Sequence, residues 1–381
     1  MARVAHLTTV HSPFDNRIMD RECRTLANAG HEVVVVAGSA SGEPAPGVTV
    51  RHVSWPAGRL WRMSLGVLRV LAAAWREKPA VFHFHDPELI PAGLLLRLLG
   101  RRVVYDIHED YATALLEREY LPPAWRPRLS RTLACVEGWC SRRFALVAAE
   151  RYYLERFPTA TTVLNYVRLP AVSDAELAAR PRLPGIRLLY TGNVKDYRGA
   201  FEHASLLTRL PNAEVFLVGR CSQELAAALQ RSVGPGAARL HLEGIGYLVP
   251  HARIDACYLA EQWTAGLAVF PRRAHTARKE LTKVFEYMAY GLPIIASDLP
   301  ALRDLVEGEG CGLCVDPDDP AAAAAAARWL AENPEQAADM GRRGRRAARE
   351  RYTWESQGER LLALYDRIGV PPGTIKAKGL V

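Results

Sequence analysis

Residues 31–38, HEVVVVAG, set four valines in an unbroken row directly after a helical stretch that stops at Gly30. A strand with one wet face alternates apolar and polar residues, so a continuous apolar run calls for cover on both faces. Inner strands of parallel sheets meet that demand, because each crossover lays a helix on the sheet. The preceding NRIMDRECRTLANAG suits such a crossover, with Met19, Cys23, Leu26 and Ala27 at helical spacing. RVAHL before it, and AVFHFHD, RRVVYDIHE, FALVAAE and TTVLNYV after it, read as further strands, with helices such as 89–99 between them. LPAVSDAELAARPRLPG then reads as a linker. The rhythm restarts with IRLLYTGNV, AEVFLVGR, RLHLEGIG, TAGLAVFP, LPIIASD and CGLCVDP. The expectation is an α/β chain with two Rossmann-like, doubly wound parallel-sheet domains facing across a cleft, ligands lying at the strands' carboxyl ends. Their limits read as 1–170 and 171–354, with a helix at about 355–370 packing back on the first domain and a tail at 371–381.

Bulk properties narrow the classes. A length of 381 residues exceeds one compact core, and 49% hydrophobic with 24% charged residues is ordinary globular composition. Arg62, Arg69 and Arg76 interrupt the Leu/Val-rich helix near 60–75, which therefore falls short of the roughly 20 apolar residues a bilayer span needs. MARVAHLTTV enters a strand at once, and seven scattered cysteines argue against a disulfide framework, so a cytoplasmic protein without a signal peptide is expected. The net charge of +8 is uneven: residues 1–170 hold 22 Lys+Arg against 16 Asp+Glu, and the remainder 27 against 25. A basic first half suits an anionic ligand or an anionic membrane surface, and also serves solubility.

The stretch LTKVFEYMAYGLPIIASDLP carries the most chemistry. If Thr282 caps its helix, Lys283 lies in the first turn, where free N–H groups and the positive dipole end attract phosphate. Glu286 follows three residues later, about 5 Å along the same face. A nucleoside diphosphate has that spacing between diphosphate and ribose. Lys283 with the amides would hold the first, and Glu286 would accept hydrogen bonds from the ribose hydroxyls. The competing reading is a surface i,i+3 ion pair.

The ordered series HSPFDNRIMDRECRTLANAGHEV, HDPELIPAGLLLRLLGRRVVYDIHEDY, TGNVKDYRG, ELTKVFEYMAYGLPIIAS, EGCGLCVDPDDP and RYTWESQGERLLALY covers nearly the whole chain. It resembles the retaining sugar-nucleotide-dependent glycosyltransferases of family 4, the group 1 glycosyltransferases of GT-B fold. The resemblance implies transfer of a sugar from a UDP- or GDP-linked donor to an acceptor hydroxyl, with retention of anomeric configuration and neither metal nor cofactor beyond the nucleotide sugar. It places Gly192, Asn193, Arg198, Thr282, Lys283 and Glu286 at the donor nucleotide. His108, Arg198 and Lys283 are the candidate catalytic residues, and His11, Asp15, Arg17, Glu109 and Glu280 could meet acceptor or sugar. For Asp15 helix capping is an equal alternative.

Two departures stand out. Many members carry Gly-Arg and, five residues on, Lys-Gly; here Asn193 follows Gly192, while Arg198 precedes Gly199 and can offer phosphate a two-pronged contact. The acid that many members place eight positions before the ribose-binding glutamate is here Arg278, and the nearest acid is Glu280. Retention would proceed without an enzyme nucleophile, the acceptor attacking on the face the nucleotide leaves and a leaving phosphate oxygen taking its proton. A role in cell-envelope or extracellular polysaccharide or glycoconjugate synthesis follows from the same likeness. The acceptor could be a glycan, a lipid-linked or a small molecule. WRPRLSRTLACVEGWCSRR is both basic and amphipathic, suiting peripheral contact with the inner face of the cell membrane.

Other signals read as structural. His83 and His85 alternate along a strand, but the sequence shows no third metal ligand. CGLC sits in a strand, not at a helix start. DPDDP reads as a helix cap at Asp318 or Asp319 with Pro320 at the first helical position. GRRGRRAARER lacks the interleaved aromatics of a nucleic-acid site. A sugar-nucleotide epimerase and a non-catalytic sugar-nucleotide binding module are the alternatives to a transferase.

Overall fold

In the computed structural model, which describes residues 1–40, 42–116, 122–273 and 277–373, the valine run becomes a strand with both faces covered. Val34 and Val36 pack with Leu7, Phe82, Phe84 and Tyr105 on one side. Val33 and Val35 pack with Ile18, Cys23, Trp354 and Tyr365 on the other. Each fully buried valine contributes roughly 1.5–3 kcal/mol of transfer free energy, so the run anchors two cores at once.

The first sheet is built from β1 (Arg3–Leu7), β2 (Glu32–Gly38), β3 (Val48–Val53), β4 (Val81–Phe84), β5 (Arg102–Ile107), β6 (Ala145–Ala148) and β7 (Thr161–Thr162). Its order is β3-β2-β1-β4-β5-β6-β7, parallel throughout. The second contains β8 (Ile186–Thr191), β9 (Ala213–Cys221), β10 (Leu240–Ile245), β11 (Ala265–Ala268), β12 (Ile294–Ser297) and β13 (Gly312–Val315), in the order β10-β9-β8-β11-β12-β13, also parallel. Both orders reverse direction beside the first strand, between β1 and β4 and between β8 and β11. Open α/β sheets bind ligands at such switch points, outside the strands' carboxyl ends.

The chain divides into two units, Met1–Asn165 with the stretch from Trp354, and Tyr166–Thr353. In the first, the helix Trp354–Arg367 returns to the sheet: Trp354 Nε1 donates to Thr25 Oγ1 at 2.9 Å, and Gln357 Oε1 accepts from Leu164 N–H at 3.0 Å. Residues 374–381 of the expected tail lie outside the described residues. The stretch read as a linker holds structure. Ser173 and Glu176 form a reciprocal capping box on the helix Asp174–Ala178, and Asp174 binds Arg345 and Arg349 at 2.5 and 2.7 Å. Strand β3 was not anticipated, because its burial alternates and its middle carries Arg51 and His52. Asp319 caps the helix Pro320–Glu332, and burial pushes the thiols of Cys311 and Cys314 up to about 12, which removes redox reactivity from CGLC. Among the described residues no helix is long and apolar enough to cross a membrane.

Candidate functional site

In the second unit the chemistry gathers at the carboxyl ends of β8 and β11. Strand β8 ends at Thr191, and Gly192 leaves it with φ +107°. The turn Asp196–Arg198 closes on Gly199, whose φ is +81°. A Cβ there would stand 1.8 Å from the Val269 carbonyl oxygen, so only glycine lets the turn lie against the end of β11. Arg198 is fixed at that edge, half-buried, with its guanidinium 6.0 Å from the Tyr197 ring centre. Asn193 is exposed, and its carbonyl accepts the Tyr190 hydroxyl at 2.9 Å.

The helix Thr282–Ala289 opens at the same edge. Thr282 is not its cap: Leu281 occupies that position, offers no side-chain oxygen, and leaves Thr282 as the first helical residue. The first turn therefore presents amides that no side chain caps. Lys283 is buried, its Nζ 4.7 Å from the Tyr190 ring centre and 5.1 Å from that of Phe270. Among the described residues no carboxylate pairs with it. Burial first, then the neighbouring Arg198, pull its pKa down to about 7, with Glu286 opposing them. His203, buried beside it, accepts the Val269 N–H at 3.2 Å and is pushed to about 3 by burial and by Lys283, so it stays neutral.

Glu286 is half-buried one turn further along. Its Oε2 accepts the Tyr258 hydroxyl at 3.0 Å, and Tyr258 also meets Thr191 Oγ1 at 2.5 Å. One carboxylate oxygen is thus oriented while the other stays available. Sequence reasoning missed Tyr258, which sits in the last turn of the helix His251–Ala260, in ACYLAE, without a local signal. Glu280 is half-buried two residues before the helix, and Arg278 is exposed.

In the first unit, His108 follows β5 and is nearly buried. Its Nε2 donates to Asp106 Oδ2 at 2.5 Å, which leaves Nδ1 as the ring atom for a ligand. His11 lies with its ring centre 4.8 Å from that of His108 and its Nε2 3.4 Å from Asp86 Oδ1. Asp15 caps its helix, accepting the N–H groups of Arg17 and Ile18 at 2.9 and 3.3 Å. Burial opposes its ionised form, yet His108, His11 and those amides outweigh it and hold the carboxyl below its ordinary value. Glu109 is half-buried just beyond, its carbonyl accepting the Tyr111 N–H.

Arg17 corrects the reading that placed it against a ligand. It is 5% exposed and spends its guanidinium inside the domain: Nε and Nη2 donate to the two oxygens of Asp106 at 2.9 Å each, and Nη1 donates to Val163 O and Asn165 Oδ1. The two-pronged contact keeps Asp106 ionised against the cost of its own burial. His83 and His85 also have more company than the sequence revealed, since His6 and Glu22 lie beside them.

Residues 16–157 match the family profile described as Glycosyltransferase Family 4, and residues 188–347 match Glycosyl transferases group 1. The chain is 28% identical over 250 residues to the D-rhamnosyltransferase WbpZ of Pseudomonas aeruginosa, a match spanning 64% of this chain and 62% of that protein. It is 23% identical over 363 residues to the phosphatidyl-myo-inositol mannosyltransferase of Mycolicibacterium smegmatis, covering 90% of this chain and 87% of the relative. Among solved structures, Anabaena HepE in complex with UDP-glucose superposes with a TM-score of 0.70 at 13% identity, covering 96% of this chain and all of that one.

Proposed function

Because the chain belongs to the group 1 glycosyltransferases of GT-B fold, we propose that it moves a sugar from a nucleoside-diphosphate sugar to an acceptor hydroxyl with retention of anomeric configuration. The carrying observation is Lys283, a buried cation without a carboxylate partner among the described residues, at an uncapped helix start with Glu286 one turn on. A cation kept out of water without a counter-ion is costly, and a diphosphate supplies what it lacks. Arg198 stands at the same edge and adds a second positive group. The UDP-glucose held by HepE supports a nucleotide sugar as donor, and the names of the two relatives, a rhamnosyl- and a mannosyltransferase, support a hexose-type sugar, the second with a phosphatidylinositol acceptor.

As the glycosidic bond breaks, charge grows on the departing diphosphate. Arg198, Lys283 and the first-turn amides would stabilise that charge from fixed positions, with little reorganisation at that moment. Losing one such group costs about 2.7–4 kcal/mol of barrier, by analogy with oxyanion-hole donors. The acceptor attacks on the face the nucleotide leaves, and a leaving phosphate oxygen takes its proton. In the first unit, Asp106 fixes Nε2 of His108, the candidate catalytic histidine, and leaves Nδ1 as its free ring nitrogen.

A peripheral membrane position, on the cytoplasmic side, is part of this reading. On the helix Arg126–Ser141 the apolar residues Leu129, Val136 and Trp139 are exposed, as are Arg128 and Arg131, with Arg126 half-buried and Trp125 exposed just before it. Leu60, Trp61, Met63 and Leu68 of the same unit are exposed as well.

The test is turnover with UDP- and GDP-sugars and a panel of glycan and lipid-linked acceptors. Release of free nucleoside diphosphate with an NMR-defined product of unchanged anomeric configuration supports the proposal. A changed sugar still attached to its nucleotide would instead identify an epimerase.

A further inference from the structure

Strands β1 and β4 are paired with His6 opposite His83, and both side chains lie on the sheet face that carries Ile18, Cys23 and Tyr365. His85, two residues beyond His83, joins them, and Glu22 comes down from the helical segment Asn16–Cys23. All four are fully buried, and their candidate ligand atoms lie within 4.8 Å of one another. His6 Nε2, His83 Nε2 and both Glu22 oxygens carry no hydrogen bond among the described residues. Glu22 Oε1 is 3.1 Å from Arg17 Nη2 as an ion pair, and Oε2 is 3.7 Å from His83 Nε2.

Hydrogen bonds around the cluster admit a set of tautomers that suits a metal ion. His85 Nδ1 lies 2.9 Å from His108 Nε2 and 3.3 Å from Asp106 Oδ2, and it carries a proton in the tautomer that donates to the ionised Asp106. In that tautomer His85 Nε2 accepts His6 Nδ1–H at 2.9 Å, and His6 Nε2, which has no hydrogen bond among the described residues, keeps its lone pair. His83 Nδ1 meets the Tyr365 hydroxyl at 2.9 Å, a contact that leaves its Nε2 a lone pair when Nδ1 donates. In these tautomers two imidazole lone pairs share one buried cluster with the Glu22 carboxylate, whose Oε1 meets Arg17, an arrangement that suits a further cation.

We propose that His6, His83 and Glu22, with His85 as fourth ligand or as the group orienting His6, bind one divalent first-row transition metal of the zinc type in the core of the first unit. Imidazole nitrogen and carboxylate oxygen are the donors such ions take, and metal-bound histidines commonly donate their second N–H to a partner, the place that His85 takes beside His6 and Tyr365 beside His83. With metal–nitrogen distances of ~2.0–2.1 Å, the ligand atoms draw together by about 1 Å on binding. The ion joins β1, β4 and the Asn16–Cys23 segment through its ligands and reaches the C-terminal helix through Tyr365. All its ligands belong to the first unit, where it would tie strand and helix together, and His85 links it to His108 at 2.9 Å.

The experiment uses the full chain purified without a histidine tag. Elemental analysis should find about one equivalent of a first-row metal, cobalt exchange should give a visible ligand-field spectrum, and a strong chelator should lower the melting temperature until zinc is restored. Glu22→Gln keeps the side-chain shape and should lose the metal. Tyr365→Phe, which leaves all ligands in place, should weaken binding by about 10–100-fold. A chain that is metal-free as isolated and takes up neither zinc nor cobalt on titration overturns the proposal and leaves a proton on Glu22 as the cation. Metal retained in full by both variants overturns it equally, by placing the ion elsewhere.

Discussion

Raising the pH from 7 to 9 removes the proton from Lys283 in the free protein, because burial and Arg198 hold its ammonium at about 7. A bound diphosphate changes that balance: its charges stabilise the ammonium and return the pKa toward the ordinary lysine value, about 10.4. Binding above pH 7 must therefore take up a proton. With the free group at about 7, half the molecules are protonated at pH 7 and roughly one in a hundred at pH 9, so affinity for a nucleoside diphosphate falls by up to ~50-fold, or about 2.3 kcal/mol. The ligand does not confuse the sign, since a phosphate's second ionisation lies near pKa 6 and is largely complete at pH 7. Titration calorimetry at pH 8 in two buffers of different ionisation enthalpy should report uptake of about one proton. Lys283→Arg stays charged throughout and should flatten the profile even if it binds more weakly. A dissociation constant unchanged between pH 7 and 9, with heats independent of buffer, would refute the reasoning.

Arg17→Met leaves Asp106 as a buried charge without its main partner and should cost about 3–5 kcal/mol in urea unfolding, with a loss under 1 kcal/mol counting against the assigned network. Gly199→Ala forces a Cβ into the Val269 carbonyl at a left-handed φ, so stability should drop by more than about 1 kcal/mol, and an unchanged midpoint would contradict the close approach. Sedimentation with anionic vesicles should be salt-sensitive and lost when Arg126, Arg128 and Arg131 are changed to Glu, whereas absence of binding at low salt would remove the membrane reading.

What the chain disclosed in advance was what its local patterns encode. The valine run forced two covered faces, and the strand–helix alternation forced parallel sheets, because both depend on side-chain period alone. Lys283 and Glu286 were legible as a pair for the same reason, one helical turn being a local spacing. Strand β3 escaped because an edge strand needs no continuous apolar run, and Arg51 and His52 blur its alternation. The cap at Leu281 escaped because nothing in that side chain announces a helix start. Arg17 looked like a loop cation, since its true partner, Asp106, is 89 residues away. The neighbours of His83 likewise depend on β1 pairing with β4, a strand order that no short segment contains.

The central claim is that one helix measures a nucleoside diphosphate, with Lys283 at the diphosphate and Glu286 at the ribose. Calorimetric titration of the native chain, Lys283→Met and Glu286→Gln with UDP, GDP and inorganic pyrophosphate tests it most directly. Lys283→Met should weaken all three ligands, whereas Glu286→Gln should weaken the nucleotide bound by the native chain and leave pyrophosphate unchanged. Equal losses for pyrophosphate and nucleotide in Glu286→Gln, or nucleotide binding untouched in both variants, would contradict the account.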